Sequence, residues 1–312
     1  MLSNQDRTHE RDIKMDATHV EPGKMTPYGA LPVPHVTPEL LSLIKTGKVY
    51  SLGIPHFEGL PKPEPMVPFT LTPRIRHGDL DAITPASAAA ETITMPVHTA
   101  THIDALCHIG EHQDASGKPQ PGGEVRLYAG KGKTVAAKDN VSYQGQLHLS
   151  AGDMVPIIQR GILLDVAGFK GVEVLPDSYE ITVEDVQGTL DWEGIKITTG
   201  TAVIFRTGYY KHFREGNQAY MDAIAGPGLP VAQYLVTAGV NLVGADNMTV
   251  ESLPPLDHRL HRFLLVHNGV TLVENVFLEM LAAEKAYEFL LIITPLRIYG
   301  ATGSWVNPIA IT

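Results

Sequence analysis

His98, Thr99, Ala100, Thr101, His102, Ile103, Asp104, Ala105, Leu106, Cys107 and His108 place three imidazoles and a carboxylate in one short segment. These are the side chains that ligate a borderline divalent cation such as zinc or manganese. Water on such a cation is a ready hydrolytic nucleophile at neutral pH. A second set, His258, His261, His267 and Glu274, lies far downstream, so the two can share a site only if the fold joins them. Six of the 14 histidines fall in these sets, which makes chance a poor account of them. His112, just beyond the first set, reads as a loop residue.

The even spacing of His98, His102, Asp104 and His108 would turn all four to one face of a continuous strand. At about 3.3 Å of rise per residue, however, His98 and His102 would stand roughly 13 Å apart. That is too far for bonds of about 2.1 Å to one ion. A helical turn brings His98 to His102 but swings Asp104 off the shared face. The spacing therefore predicts a strand over 92–97 ending at His98, followed by an irregular turn of the small residues Thr99, Ala100 and Thr101. Such a strand end is where active sites of α/β proteins gather. In the second set His261 ranks above His258 and His267, which read equally well as surface residues. Glu274 closes the apolar run 270–273, where a carboxylate needs a partner and a metal is a good one.

The elements that must position these groups alternate along the chain. Runs rich in Val, Ile, Leu and Thr predict strands over 92–98, 161–166, 202–207, 241–245, 270–273 and 287–293. Pro96 suggests an edge position or an irregular end for the first of these. Helices are predicted over 182–190, 229–238 and 275–286, and a short one follows Thr37 as cap, with Pro38 at its first position and Gly47 beyond its end. Residues 1–36 carry Pro22, Pro27, Pro32 and Pro34 and read as an extended arm, so the chain divides into an arm with its short helix, 1–47, and one domain, 48–312. Residues 113–145, rich in Gly, Pro and Lys, read as a long surface excursion, a lid or a subunit contact. Within it, the run from Gly130 to Thr134 imitates the tail of a phosphate loop, but Leu127 stands where the opening glycine belongs, and no nucleotide site is expected. No Gly-x-Ser-x-Gly elbow is present.

Composition sets the outer limits. Of 312 residues 44% are hydrophobic and 19% charged, a globular balance. A net charge of −10 without clustered Lys and Arg argues against a nucleic-acid partner. A single Cys107 rules out an internal disulfide framework and fits a reducing compartment. The start of the chain is polar, and no apolar run is long enough to span a membrane. The expectation is a soluble cytoplasmic protein acting on a small molecule, with no membrane partner.

The sequence resembles the metal-dependent cyclase-like hydrolases of the bacterial kynurenine formamidase and isatin hydrolase type. Their motif, His-x-Gly-Thr-His-x-Asp-x-Pro-x-His, is matched from His98 to His108 at every metal-relevant position. Further likeness runs through 160–165, 206–208, 244–246, 273–275 and 303–304, so it spans about 48–312 and leaves the arm and 113–145 as additions. Ala100 stands where the motif has glycine and must avoid positive φ or tolerate strain. Leu106 stands where it has proline, and the gap from His261 to Glu274 is slightly longer than in the formamidases.

The resemblance implies an α/β fold, a swivelling β/β/α single domain with a mixed sheet, assembled as a homodimer or homotetramer. It implies Zn2+ or Mn2+, one ion or two, on His98, His102 and Asp104, with His261 and Glu274 completing a second site bridged by Asp104. His108, with Glu274, is then catalytic, His108 as the acid/base. The expected reaction is hydrolysis of an amide-type C–N bond in an N-formyl arylamine, an isatin-like lactam or a cyclic imide. Phe57, Tyr209, Ser304 and Trp305 are the candidate substrate contacts. Alternatives on the same residues are a lyase or cyclase, a lactone hydrolase, or a non-catalytic metal-binding protein.

Overall fold

Predominantly apolar runs form the parallel strands Ile157–Asp165, Ala202–Arg206, Leu242–Ala245 and Thr271–Glu274, and nearly every residue in them is buried. Strands covered on both faces need such runs rather than alternation. The structure is a computed structural model and describes residues 28–32, 34–62, 66–79, 85–215 and 219–312. The four strands are the middle of a nine-stranded mixed sheet. In spatial order it runs Val49–Ser51, Ile309–Ile311, Glu288–Ile293, Ile157–Asp165, Ala202–Arg206, Leu242–Ala245, Thr271–Glu274, His102–Asp104 and Gly303–Trp305. The expected single α/β domain with a mixed sheet is what forms.

Helix Val183–Glu193 is opened by a reciprocal cap between Thr182 and Asp185 and closed by Gly194 at φ +70°. It packs on helix Leu229–Thr237 and on strand Ile157–Asp165. Asp246, one residue beyond its strand, accepts from the Thr207 N–H, the Thr207 hydroxyl and the Gly208 N–H, so it ties the carboxyl ends of two neighbouring strands together. Among the described residues no helix is long and apolar enough to cross a membrane. The short helix Pro38–Leu41 is capped by Thr37 as expected. Most of the arm, 1–27, lies outside the described residues. Its last part does not trail: Tyr28 is buried and donates to the carbonyls of Leu149 and Ser150, and the Ala30 N–H donates to the Gly269 carbonyl.

Three expectations are corrected. The strand predicted over 92–98 is Ala90–Thr94, which pairs with Thr70–Ile75 in a separate exposed ribbon and does not run into His98. Pro96 cannot donate to a ladder, and the chain leaves the ribbon before it. Residues 113–145 are not a loose excursion. Strands Glu111–Gln113, Glu124–Tyr128 and Thr134–Ala136 form an antiparallel meander, followed by the pair Val141–Ser142 and Gly145–Gln146. The glycines that read as loop are its turns; Gly130–Lys133 is the hairpin joining the last two meander strands. His112 accordingly sits in a strand, its ring bonded to the Gly123 carbonyl. The helix predicted over 275–286 shrinks to Glu279–Ala283, because Asn275, at φ +55°, is left-handed and breaks its start.

Candidate metal centre

The turn comes before the strand, not after it. His102 and Asp104 are the two ends of a three-residue strand, so both point to one face while Ile103 points into the core. That strand lies between Thr271–Glu274 and Gly303–Trp305, with His102 opposite Glu274. Direct opposition across an antiparallel pair puts the His102 Nε2 3.2 Å from the Glu274 carboxylate. His98 sits in the irregular segment before the strand and folds back, its Nδ1 2.9 Å from Asp104 Oδ1 and its Nε2 2.8 Å from the Thr302 hydroxyl. Gly303, opposite Asp104, makes room for that ring: a Cβ there would lie 2.7 Å from His98 Cε1.

The turn is held in a costly shape. Ala100 has φ +53°, a left-handed conformation worth roughly 1–2 kcal/mol of strain in a residue with a side chain. Of the two options open to it in the sequence, the chain tolerates the strain. Its carbonyl accepts from His102 Nδ1 at 2.8 Å and from the Asn275 amide at 3.0 Å, while the Ile54 N–H donates to the Thr101 hydroxyl at 2.8 Å.

His261 arrives from the other cluster at the end of the single turn Arg259–His261, followed by a π-helical segment, Arg262–Asn268. An i→i+5 segment holds more residues per turn than an α-helix, and so takes up the long gap to Glu274. His261 Nε2 lies 3.2 Å from Glu274 and 3.7 Å from Asp104 Oδ2, and its Nδ1 lies 2.6 Å from Glu251 Oε1. The other Glu251 oxygen accepts from the Leu260 N–H. Glu251 is buried and was not among the sequence candidates.

These residues fit a divalent cation. Asp104, His261 and Glu274 offer mutually adjacent donor atoms, as do His98, Asp104 and His108. Donors held about 2.1 Å from one ion in a tetrahedron stand roughly 3.4 Å apart, close to the separations found. The buried His102 Nε2 and Asp104 Oδ2 have no hydrogen-bond partner among the described residues. Both His102 and His261 have Nδ1 committed outside the site, to a carbonyl and a carboxylate, which leaves Nε2 facing in.

The electrostatics follow from burial and sign. Burial works against charge on Asp104 and Glu274, yet the facing histidines reverse it and hold both below the ordinary carboxylate range. Burial also works against charge on His261, but Glu251 and Glu274 outweigh it and push it up to about 10. His108 goes the other way, down to about 3, chiefly through burial, with Asp104 opposing and His98 and His261 adding to the fall. It stacks on His98 at 3.8 Å between ring centres and faces a cavity of about 470 Å³. His98, His261 and Glu274 share that ionic wall, and Met66, Met221, Met248, Leu253 and Leu256 supply apolar lining.

The structure thus brings His98, His102, Asp104, His108, His261 and Glu274 together. His258 also lines the cavity, with its Nδ1 3.8 Å from Glu251, whereas His267 points to Glu111. The four candidate substrate contacts lie elsewhere. Phe57 is exposed against the edge of Phe213; Tyr209 is buried with its hydroxyl on the Ala223 carbonyl. The Ser304 hydroxyl accepts from the Leu296 N–H, and the Trp305 indole donates to the Pro96 carbonyl. None of the four is part of the cavity lining.

Residues 30–252 match the model of a family described as "Putative cyclase". The chain is similar to a crystal structure of a novel cyclase at 30% identity, covering 92% of this chain and 96% of that one, with a TM-score of 0.79. It shares its fold with isatin hydrolase A from Ralstonia solanacearum at 20% identity, covering 89% and 97%, with a TM-score of 0.58. A predicted metal-dependent hydrolase from Bacillus stearothermophilus is similar at 19% identity, covering 84% and 97%, with a TM-score of 0.51. No curated protein matches the sequence.

Proposed function

Since the chain belongs to the cyclase family, we propose that it is a metal-dependent hydrolase of an amide-type C–N bond, in an N-formyl arylamine, an isatin-like lactam or a cyclic imide. One observation carries the reading: two imidazoles and two carboxylates from distant parts of the chain converge in a buried cluster, His102 Nε2 and Asp104 Oδ2 having no hydrogen-bond partner among the described residues, beside the His108 ring stacked on His98. His98, His102, Asp104, His261 and Glu274 would hold one or two ions, Zn2+ or Mn2+, with Asp104 placed between the two sets. A cation there would acidify water from a pKa of about 15.7 toward about 7 and polarise a carbonyl oxygen.

The chain's own residues do the rest. His108 is neutral at neutral pH, so it can take a proton as the tetrahedral species forms; its low pKa then favours handing that proton to the departing nitrogen. Glu274 keeps its charge next to Asp104 and supports the same proton movement on the ionic side of the cavity. The methionine and leucine side of the cavity would hold the body of a small-molecule substrate and exclude water from the ionic side. Turnover in ¹⁸O-labelled water tests the reaction class: the label is expected in a new product carboxylate. Product without label, formed with loss of a carbon-bound proton, would overturn hydrolysis in favour of a lyase or cyclase.

We further propose a homodimer or homotetramer, acting without nucleic acid or membrane. Its support is the ribbon of Thr70–Ile75 and Ala90–Thr94, exposed along nearly all of its length, with Leu71 directly opposite Ile93. A two-stranded ribbon is marginal in water without a covering surface. Sedimentation is expected to give a multiple of 33.8 kDa, and Leu71→Asp with Ile93→Asp to shift the mass to 33.8 kDa. A wild-type chain that already sediments at the single-chain mass overturns the assembly.

A further inference from the structure

Glu111 stands three residues after His108, on the first strand of the meander, and it is buried. One oxygen accepts from Arg262 Nη1 at 2.9 Å. The other lies 3.0 Å from His267 Nε2 and accepts from the Gln113 amide at 2.8 Å. Arg262 and His267 are five residues apart, and both belong to the π-helical segment Arg262–Asn268. In an α-helix of 3.6 residues per turn, residues five apart point about 140° away from each other. With i→i+5 bonding they return to one face. The two oxygens of a single buried carboxylate are therefore matched to a pair of side chains that the π register presents together.

That register sets the aim of His261. Arg262 follows it directly, and Glu274 lies 13 residues on, past the segment's left-handed cap at Gly269. Winding the same residues as an α-helix from that cap would turn His261 by about 100° and take its ring away from Glu274. Building on the metal-centre reading above, we propose that Glu111 is a positioning residue: by gripping Arg262 and His267 at once it holds the segment in π register and keeps the His261 imidazole on Glu274. The meander thereby serves the site from outside it. Its first strand carries the clamp and begins just beyond His108, so the acid/base loop and the His261 helix are fixed to each other by one carboxylate.

Two measurements test this without reference to turnover. Metal-free full-length protein is titrated with Zn2+ against a chromophoric chelator, and backbone amide exchange over 262–270 is followed before metal is added. Glu111→Gln keeps the volume and removes the charge. His267→Gln, at a half-exposed position, leaves the Glu111–Arg262 pair in place and carries the test if the first variant does not fold. Each is expected to speed amide exchange in that segment and to lower Zn2+ affinity about 10- to 100-fold. The double variant is expected to lose no more than the stronger single one, because both act through one register. Unchanged exchange in the His267 variant, or losses that simply multiply in the double variant, overturn the clamp. A wild-type chain that takes up no Zn2+ defeats the metal reading instead, while the metal-free exchange result still decides the clamp.

Discussion

Replacing Asp104 with asparagine is expected to empty the site of metal and to lower kcat/KM by about 10⁴-fold or more. The estimate follows from position. Asp104 stands within 2.9 to 3.7 Å of nitrogens on His98, His102 and His261, so it faces all three candidate imidazole ligands. Asparagine keeps the shape but removes the negative charge, and its amide group cannot serve as a bridging anion. Loss of a cation that supplies several kcal/mol of transition-state stabilisation, at about 1.4 kcal/mol per decade, gives the magnitude. Elemental analysis beside kinetics checks it, with near-ultraviolet circular dichroism to show that the core has kept its packing. An Asp104→Asn protein with full metal and full turnover would remove the proposed centre altogether.

His108→Ala is expected to separate chemistry from metal. Proton transfer by a positioned histidine is typically worth about 10²–10⁴-fold, and kcat is expected to fall by that much while metal content stays near that of the wild type. The distinction matters because His108 also offers a donor atom beside those of His98 and Asp104. Burial pushes its pKa down to about 3, so the ring is neutral at neutral pH and free to accept a proton. Added imidazole is expected to restore part of the rate in the alanine variant. Loss of metal along with activity would make His108 a ligand and assign the proton transfer to another group.

The contrast between His102 and Glu251 shows what the sequence could and could not disclose. The residues of the candidate metal centre were legible because their chemistry is unusual at that density, and the His–Thr–His–Asp–His spacing survives both departures from the family motif. Their local conformation was not. His102–Asp104 is only three residues long, and its ladder partners lie about 170 and 200 residues away, so no local pattern announces it. The clue in hindsight is Ile103, a fully buried apolar residue between two polar ones, which is strand alternation at its shortest. The strand placed before His98 failed because β-branched residues over 92–94 mark a strand without saying which sheet takes it.

Glu251 gave no signal, since nothing in its neighbours marks a carboxylate whose partner is ten residues on. The apolar wall was missed for a related reason. Aromatic side chains drew attention as substrate contacts, yet Tyr209 and Trp305 spend their polar atoms on backbone carbonyls elsewhere, while methionines and leucines face the cavity. The meander was hidden by its own turns, whose glycines and lysines look like loop until the strands between them are paired.

The pairing of His102–Asp104 between Thr271–Glu274 and Gly303–Trp305 also has a consequence in time. During synthesis the first donors emerge roughly 170 residues before Glu274 and about 200 before the strand that completes their ladder. On the proposed reading, a nascent chain would carry the first part of the chelating set long before the rest, and an ion it met would be held weakly and released. Tight capture would wait for the last strands, so the order of translation itself would delay metallation until the sheet that shapes the site has closed.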